Sequence, residues 1–127
     1  MSDYVLDASA LLAFLHQEAG AEQVQAILEK AIMSAVNWSE VYKKAIEQQI
    51  ETEGLRADVE ALGVKIIPFT PQQAEQAARL WRPTKSMGLS LGDRACLAVA
   101  LEKTAIALTA DRVWSQLELD IQIELIR

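Results

Sequence analysis

The chain has 127 residues, of which 51% are hydrophobic and 24% are charged, and this balance predicts a single globular domain over residues 1–127. No apolar run approaches the roughly 18 residues of a membrane-spanning helix, so we expect a cytoplasmic protein. The formal net charge of −6 argues against nucleic-acid binding through a broad positive surface. A polyanionic substrate would have to be met by a local basic patch or by bound cations.

Strands and helices are predicted to alternate along the chain. Short apolar runs predict strands at 4–6, 31–35, 64–68 and 106–108, with an edge strand at 121–125. Apolar residues at helical spacing predict helices at 9–17, 21–29, 39–50, 71–81 and 91–102, and the polar stretch 82–88 is the most loop-like. This alternation favours an α/β fold, a three-layer sandwich around a mostly parallel central sheet of four to five strands.

Four acidic residues are predicted to lie at one edge of this sheet. Asp7 directly follows the first strand, and Asp111 comes shortly after the fourth. Glu40 and Asp93 are placed in the first turns of the helices over 39–50 and 91–102. Because ligands of parallel sheets bind outside the carboxyl ends of the strands, four acids at that edge predict a site.

Each of these acids also has a purely structural interpretation. Asp7 and Asp111 fit helix N-caps, and Glu40 fits an ion pair with Lys44 one turn along. Two capping boxes are possible, Asn37 with Glu40 and Ser90 with Asp93. Capping, however, does not require all four acids to share one edge, so their joint placement favours a functional cluster.

A cluster of carboxylates without an interleaved lysine or arginine implies a bound divalent cation, because the negative charges repel one another. Ligands that are all oxygen atoms favour Mg²⁺ or Mn²⁺ over zinc. Metal held this way supports in-line displacement at phosphorus. The hydroxyls of Ser9 and Thr109 fit two interpretations, as partners that orient Asp7 and Asp111 or as ordinary turn hydroxyls.

Four motifs carry a family resemblance over nearly the whole chain. In order they are "YVLDASALLAFL", "MSAVNWSEV", "LSLGDRACLAVA" and "ALTADRVW". They resemble the PIN-domain ribonucleases, and most closely the VapC-type toxins of bacterial toxin-antitoxin pairs. The resemblance implies a Mg²⁺- or Mn²⁺-dependent endoribonuclease, a homodimer and a VapB-type antitoxin partner. It also implies metal-binding, catalytic roles for Asp7, Glu40, Asp93 and Asp111, with supporting roles for Ser9 and Thr109.

The RNA substrate expected from this resemblance needs positive charge near the acids. The candidates for phosphate contacts are Lys43, Lys44, Arg82, Lys85, Arg94 and Arg112. Trp38 and Trp114 adjoin the acidic motifs, where packing beneath the site is favoured over stacking on bases.

Two alternative functions fit the same α/β architecture. A Mg²⁺-binding phospho-receiver domain needs an acidic pair after its first strand and a lysine after a late one, whereas Asp7 stands alone after its strand. A non-catalytic binding module could lose any of the four acids without penalty, and all four are present.

Overall fold

A parallel β-sheet forms the centre of the protein, of which the computed structural model describes residues 3–127. Over that range the sheet has five strands in the order β3-β2-β1-β4-β5, and all neighbouring strands are parallel. The strands are β1 (Tyr4–Leu6), β2 (Ala31–Ser34), β3 (Lys65–Ile67), β4 (Ile106–Thr109) and β5 (Ile123–Leu125). The predicted parallel α/β sheet is therefore confirmed.

Helices cover both faces of the sheet, as a three-layer sandwich requires. They are α1 (Ala8–Leu15), α2 (Ala21–Gln25), α3 (Ala35–Glu47), α4 (Leu55–Ala61), α5 (Pro71–Arg79), α6 (Trp81–Thr84) and α7 (Leu91–Lys103). Successive strand residues point to opposite faces. Val5 of β1 accordingly packs into the core that includes α5 and α7, whereas Leu6 packs into the core that includes α1 and α3.

The strand order separates this fold from that of a phospho-receiver domain. Here β1 is central and pairs with β2 and β4. Receiver domains follow the flavodoxin-like order 2-1-3-4-5, in which the first strand pairs with the second and third. The receiver interpretation is therefore wrong for this chain.

Helix α3 begins four residues earlier than predicted, because a different residue caps it. The side chain of Ser34 accepts a hydrogen bond from the Val36 backbone N–H at 3.2 Å and is the N-cap. The predicted capping box of Asn37 with Glu40 is therefore wrong. Glu40 consequently lies in the second turn of the helix, not in the first.

Two further predictions of local structure are wrong. The predicted loop at 82–88 contains most of α6 and a 3₁₀ turn over Lys85–Met87, and the Thr84 hydroxyl donates to the Leu80 carbonyl at 2.6 Å. The predicted helix at 21–29 ends at Gln25 and is followed by a 3₁₀ turn over Leu28–Lys30. Helix α4 was not predicted, and Gly54 is its N-cap.

The helices of this fold are short. The longest among residues 3–127 are α3 and α7, with 13 residues each. None of the helices described is long and apolar enough to cross a bilayer.

Gly20 and Gly54 provide a matched test of how tightly Ile126 packs against the start of α2. Both are N-caps in the left-handed region, with φ of 96° and 80°. A Cβ on Gly20 would lie 2.8 Å from the Ile126 side chain, whereas a Cβ on Gly54 meets nothing within 4 Å. We expect Gly54→Ala to lower the free energy of unfolding by about 1 kcal/mol through backbone strain alone. Gly20→Ala should cost at least about 1 kcal/mol more through overpacking.

Urea denaturation of the two variants measures this difference. Equal losses would show that Ile126 moves aside freely, and that Gly20 is needed only for its backbone conformation.

Candidate active site

Asp7 lies at the carboxyl end of β1, where it caps α1 and is almost completely buried. Its exposed fraction is 4%. One carboxylate oxygen accepts hydrogen bonds from the Ser9 hydroxyl at 2.7 Å and the Ala10 backbone N–H at 2.9 Å. The other accepts one from the Thr109 hydroxyl. Both oxygens are thus fixed by neutral donors from two elements, α1 and β4.

The same two hydroxyls connect Asp7 to the segment that carries Asp111. Ser9 Oγ accepts from the Ala110 backbone N–H at 2.9 Å, and Thr109 Oγ1 accepts from the Asp111 N–H at 3.0 Å. Ser9 and Thr109 therefore orient Asp7 directly, and hold Asp111 through its backbone.

Asp111 itself is the N-cap of a 3₁₀ turn over Arg112–Gln116, as its structural interpretation predicts. Its carboxylate accepts from the Val113 N–H at 3.0 Å. Asp93 likewise forms the predicted capping box with Ser90, in which each side chain accepts from the other's backbone N–H, at 2.9 and 3.1 Å. Capping and a functional role are compatible, because a carboxylate oxygen has more than one lone pair.

Glu40 is brought to α7 by two residues that the sequence analysis did not identify as part of the site. Asn37 Nδ2 donates to Glu40 Oε1 at 2.9 Å and to the Gly92 carbonyl at 3.0 Å. The Glu40 carboxylate lies directly against Gly92, where a Cβ would come within 2.6 Å of Oε1. The predicted Glu40–Lys44 ion pair does not form within residues 3–127.

The electrostatics of the site connect three of the acids. Burial raises the pKa of Asp7 to about 6, and the Asp93 charge adds to this, although bonds from Thr109, Ala10 and Ser9 oppose it. Partial burial also raises the pKa of Glu40; the Asn37 hydrogen bond opposes this shift, and Asp93 again adds to it. Asp7 and Glu40 therefore both lie in the negative field of Asp93.

The donor chemistry of these acids fits a hard divalent cation. Among the residues described, no three Asp, Glu, His or Cys side chains lie close enough together to hold a metal ion as they stand. Mg²⁺ does not need such a cage, because it keeps several waters and is commonly bound by one or two carboxylates together with substrate phosphates. Asp7 and Asp93 supply two carboxylates of this kind. Beyond the effect of burial, the Asp93 charge raises the pKa of Asp7, and a bound cation would neutralise that repulsion.

The candidate RNA-binding side chains differ in whether they already make contacts within the chain. Arg94 donates to the Ala77 carbonyl at 2.9 Å, the Lys43 ammonium lies 3.9 Å from Glu47, and the Lys85 ammonium lies 5.3 Å from the centre of the Trp81 ring. These three side chains already make contacts within the chain. Lys44, Arg82 and Arg112 are exposed at the surface.

The two tryptophans beside the acidic motifs pack inward, as predicted. Trp114 is 1% exposed and belongs to the core that includes α5 and α7. Trp38 packs partly buried against the opposite core, in an edge-to-face arrangement with Tyr42 at 6.1 Å between ring centres.

The raised pKa of Asp7 predicts a stability that depends on pH. Well below pH 3.8 its carboxyl is neutral in the folded and unfolded states, and the folded state loses relative stability as the pH rises from there towards a pKa of about 6. The shift from 3.8 to about 6 corresponds to at most about 3 kcal/mol at pH 7.5. We expect Asp7→Asn to stabilise the metal-free protein at pH 7.5, because an amide stays neutral, and to give little gain at pH 4.

Chemical denaturation at the two pH values, with EDTA present, measures this gain. The exposed Asp120→Asn is the control, for which the same change of charge should give no comparable stabilisation. A loss of stability in Asp7→Asn at pH 7.5, or an equal gain at both values, would contradict the burial of an unpaired charge.

Three solved structures with a similar fold are toxin-antitoxin complexes or a toxin. A toxin-antitoxin complex from Klebsiella pneumoniae matches at TM-score 0.79 and 20% identity, covering 98% of this chain and 98% of that chain. DNA-bound VapBC from Salmonella typhimurium matches at 0.75 and 16%, over 100% of both chains. Mycobacterium tuberculosis VapC20, a sarcin-ricin loop cleaving toxin, matches at 0.72 and 18%, over 94% of this chain and 99% of that one.

Comparison at the level of sequence gives the family. No curated protein matches the chain significantly. The family model of the PIN domain, however, matches residues 4–119, which is nearly the whole chain. The protein therefore belongs to the PIN domain family.

Proposed function

We propose that the protein is a metal-dependent endoribonuclease and the toxin of a type II toxin-antitoxin pair. The observation that carries the proposal is Asp7, a carboxylate that is 4% exposed, held by neutral donors and placed in the field of Asp93. A buried charge without a cationic partner is costly, and such groups occur preferentially at functional sites. Membership of the PIN family and the fold shared with a sarcin-ricin loop cleaving toxin support the same reaction.

The four acids Asp7, Glu40, Asp93 and Asp111 would hold the cation, with Asp7 as the most rigid ligand. A Mg²⁺ or Mn²⁺ ion held there would neutralise phosphate charge and lower the pKa of the attacking water. Ser9 and Thr109 fix the direction of the Asp7 lone pairs, as partners of metal ligands commonly do. The capping hydrogen bonds that Asp93 and Asp111 accept from backbone N–H groups hold these two carboxylates at the first turns of their helices.

The RNA would be bound mainly at this centre and by a few exposed cations around it. The net charge of −6 leaves no broad positive surface, so the phosphates depend on local positive charge. Of the six candidates, Lys44, Arg82 and Arg112 are exposed and make neither an ion pair nor a cation–π contact within residues 3–127.

Cleavage of RNA by the purified chain tests the reaction and the site together. We expect cutting of transfer RNA or of a sarcin-ricin hairpin with Mn²⁺ or Mg²⁺, and none with EDTA. Asp93→Asn should lose more than about 100-fold in rate, because even the partners of metal ligands contribute 10–100-fold. Ser90→Ala is the matched control, since it removes the other half of the same capping box and leaves the carboxylate in place.

Ser90→Ala should keep its rate within a few-fold of the parent's. Equal losses in both variants would assign Asp93 to helix capping alone. Cutting that survives in Asp93→Asn, or in EDTA, would reject the metal site, and a parent without nuclease activity on any RNA would favour a binding module.

The proposal includes a VapB-type antitoxin, and the structure offers an apolar groove in which one of its segments would lie. Two of the three similar structures described above are a toxin-antitoxin complex and a VapBC assembly. The groove has a volume of about 210 Å³ and lies between α1, α3 and the start of α4. Its apolar lining consists of Leu12, Leu15, Val41, Ala45, Ile50 and Leu55. An amphipathic helix would cover such a surface.

A homodimer belongs to the same proposal, because the resemblance to VapC-type toxins implies one. Sedimentation equilibrium of the isolated chain measures it.

A charge placed at the rim of the groove tests where the antitoxin binds. Ile50 is 45% exposed, so Ile50→Lys should fold normally and keep its RNA cleavage. We expect it to bind the cognate antitoxin at least about ten-fold more weakly than the parent, as the loss of an apolar anchor does. Leu62→Lys is the control, at a residue 37% exposed and outside the groove lining.

Titration calorimetry of each variant with the antitoxin gives the comparison. If both lysines weakened binding equally, or neither did, the groove would not be the binding surface.

A further inference from the structure

We propose that Asn37 and Gly92 form a clamp that positions the Glu40 carboxylate for metal binding. This inference rests on the proposed function, because it assigns roles within the same metal centre. The clamp consists of the Asn37 side-chain amide, which donates to the carboxylate, and of Gly92, whose lack of a Cβ leaves room for the carboxylate. Neither residue would itself bind the metal, so both are positioning residues.

The amide of Asn37 is oriented unambiguously by its partners. Both Nδ2 protons are used, towards Glu40 Oε1 at 2.9 Å and the Gly92 carbonyl at 3.0 Å. Because both partners are acceptors, a reversed amide would place its oxygen against two other oxygens. The Asn37 side chain therefore connects α3 to α7, across 55 residues of sequence.

This orientation leaves the other end of the amide without a partner. Asn37 is 1% exposed, and its Oδ1 has no hydrogen bond to any residue in the part of the chain described. A buried carbonyl without a donor is unfavourable, and leucine fills a similar volume without that cost. The presence of asparagine is explained by the two bonds from Nδ2, which hold the Glu40 carboxylate.

Glycine is needed at position 92 because a larger residue would collide with the Glu40 carboxylate, whereas the backbone conformation there does not require glycine. It lies in the first turn of α7 with an ordinary helical φ, where alanine is the better helix former. A Cβ there would lie 2.6 Å from Glu40 Oε1 and 2.7 Å from Cδ. Since that contact is with the end of a flexible side chain, Gly92→Ala should move the carboxylate and leave the fold intact.

Mn²⁺ binding to single and double variants tests the clamp without relying on catalysis. Isothermal titration in the parent background should show Mn²⁺ bound about ten-fold more weakly by Asn37→Leu and by Gly92→Ala. In a Glu40→Ala background the same two substitutions should change the affinity by less than two-fold, because there is no carboxylate left to position.

Gln73→Leu is the matched control for a buried amide. Gln73 is 3% exposed and donates to Glu102 at 2.9 Å, away from the four acids. It should change folding stability but not Mn²⁺ affinity. Melting curves of all variants in EDTA report folding, and Gly92→Ala should melt no lower than the parent.

The outcomes separate this inference from the proposed function. If the parent binds no Mn²⁺, or Glu40→Ala binds it as the parent does, Glu40 is no ligand and the clamp is rejected with that assignment. If Glu40→Ala weakens binding but Asn37→Leu and Gly92→Ala do not, only the clamp is rejected. Equal losses in the parent and Glu40→Ala backgrounds would show that the two residues act through the fold.

Discussion

The position of Asp7 depends on the pairing of β1 with β4, and the rest of the site is built around it. Leu6 pairs with Leu108, and the Asp7 N–H continues the ladder to the Leu108 carbonyl at 3.2 Å. The next residue on β4, Thr109, is thereby brought beside the Asp7 carboxylate. A slip of one residue would turn the Thr109 side chain to the other face of the sheet and remove its bond. The parallel sheet is thus what allows a buried acid to be held on both oxygens.

The hydrogen bonds to Asp7 fix the orientation of the carboxylate but do not offset the free-energy cost of burying its negative charge. Three neutral donors favour the ionised form, yet burial and the Asp93 charge outweigh them, and the pKa remains raised at about 6. Core packing alone would favour a neutral residue there. The arrangement is typical of a site in which stability is lowered so that a charged group stays in place for function.

The sequence predicted the parts of this structure that local patterns determine. The alternation of strands and helices, the cap at Asp7 and the capping box of Ser90 with Asp93 all follow from residue type and spacing. The start of α3 did not, because Ser34 and Asn37 are both good caps and lie three residues apart. Ser34 is the cap, and Asn37 instead donates to the Gly92 carbonyl, a contact that no local pattern contains.

Other errors have equally physical causes. The stretch at 82–88 is polar and contains Pro83, so composition favours a loop, whereas Thr84 is buried and bonded to a helical carbonyl. From the sequence alone Gly92 is only a residue of low helix propensity, because the Glu40 carboxylate packed against it belongs to a distant part of the chain. The metal-binding roles of the four acids stay predictions.

The charge of the chain and the spacing of its acids together favour binding of metal and RNA as coupled events. A protein of net charge −6 with unneutralised carboxylates at its site repels a polyanion, so the proposed cation serves both partners. No three acids within residues 3–127 form a ready cage, which leaves coordination positions for water or phosphate. Each partner would then complete the site for the other, since coupling between two ligands is reciprocal. On this reasoning the acids need not converge fully on their own, because an RNA phosphate would supply the remaining ligands of the proposed metal.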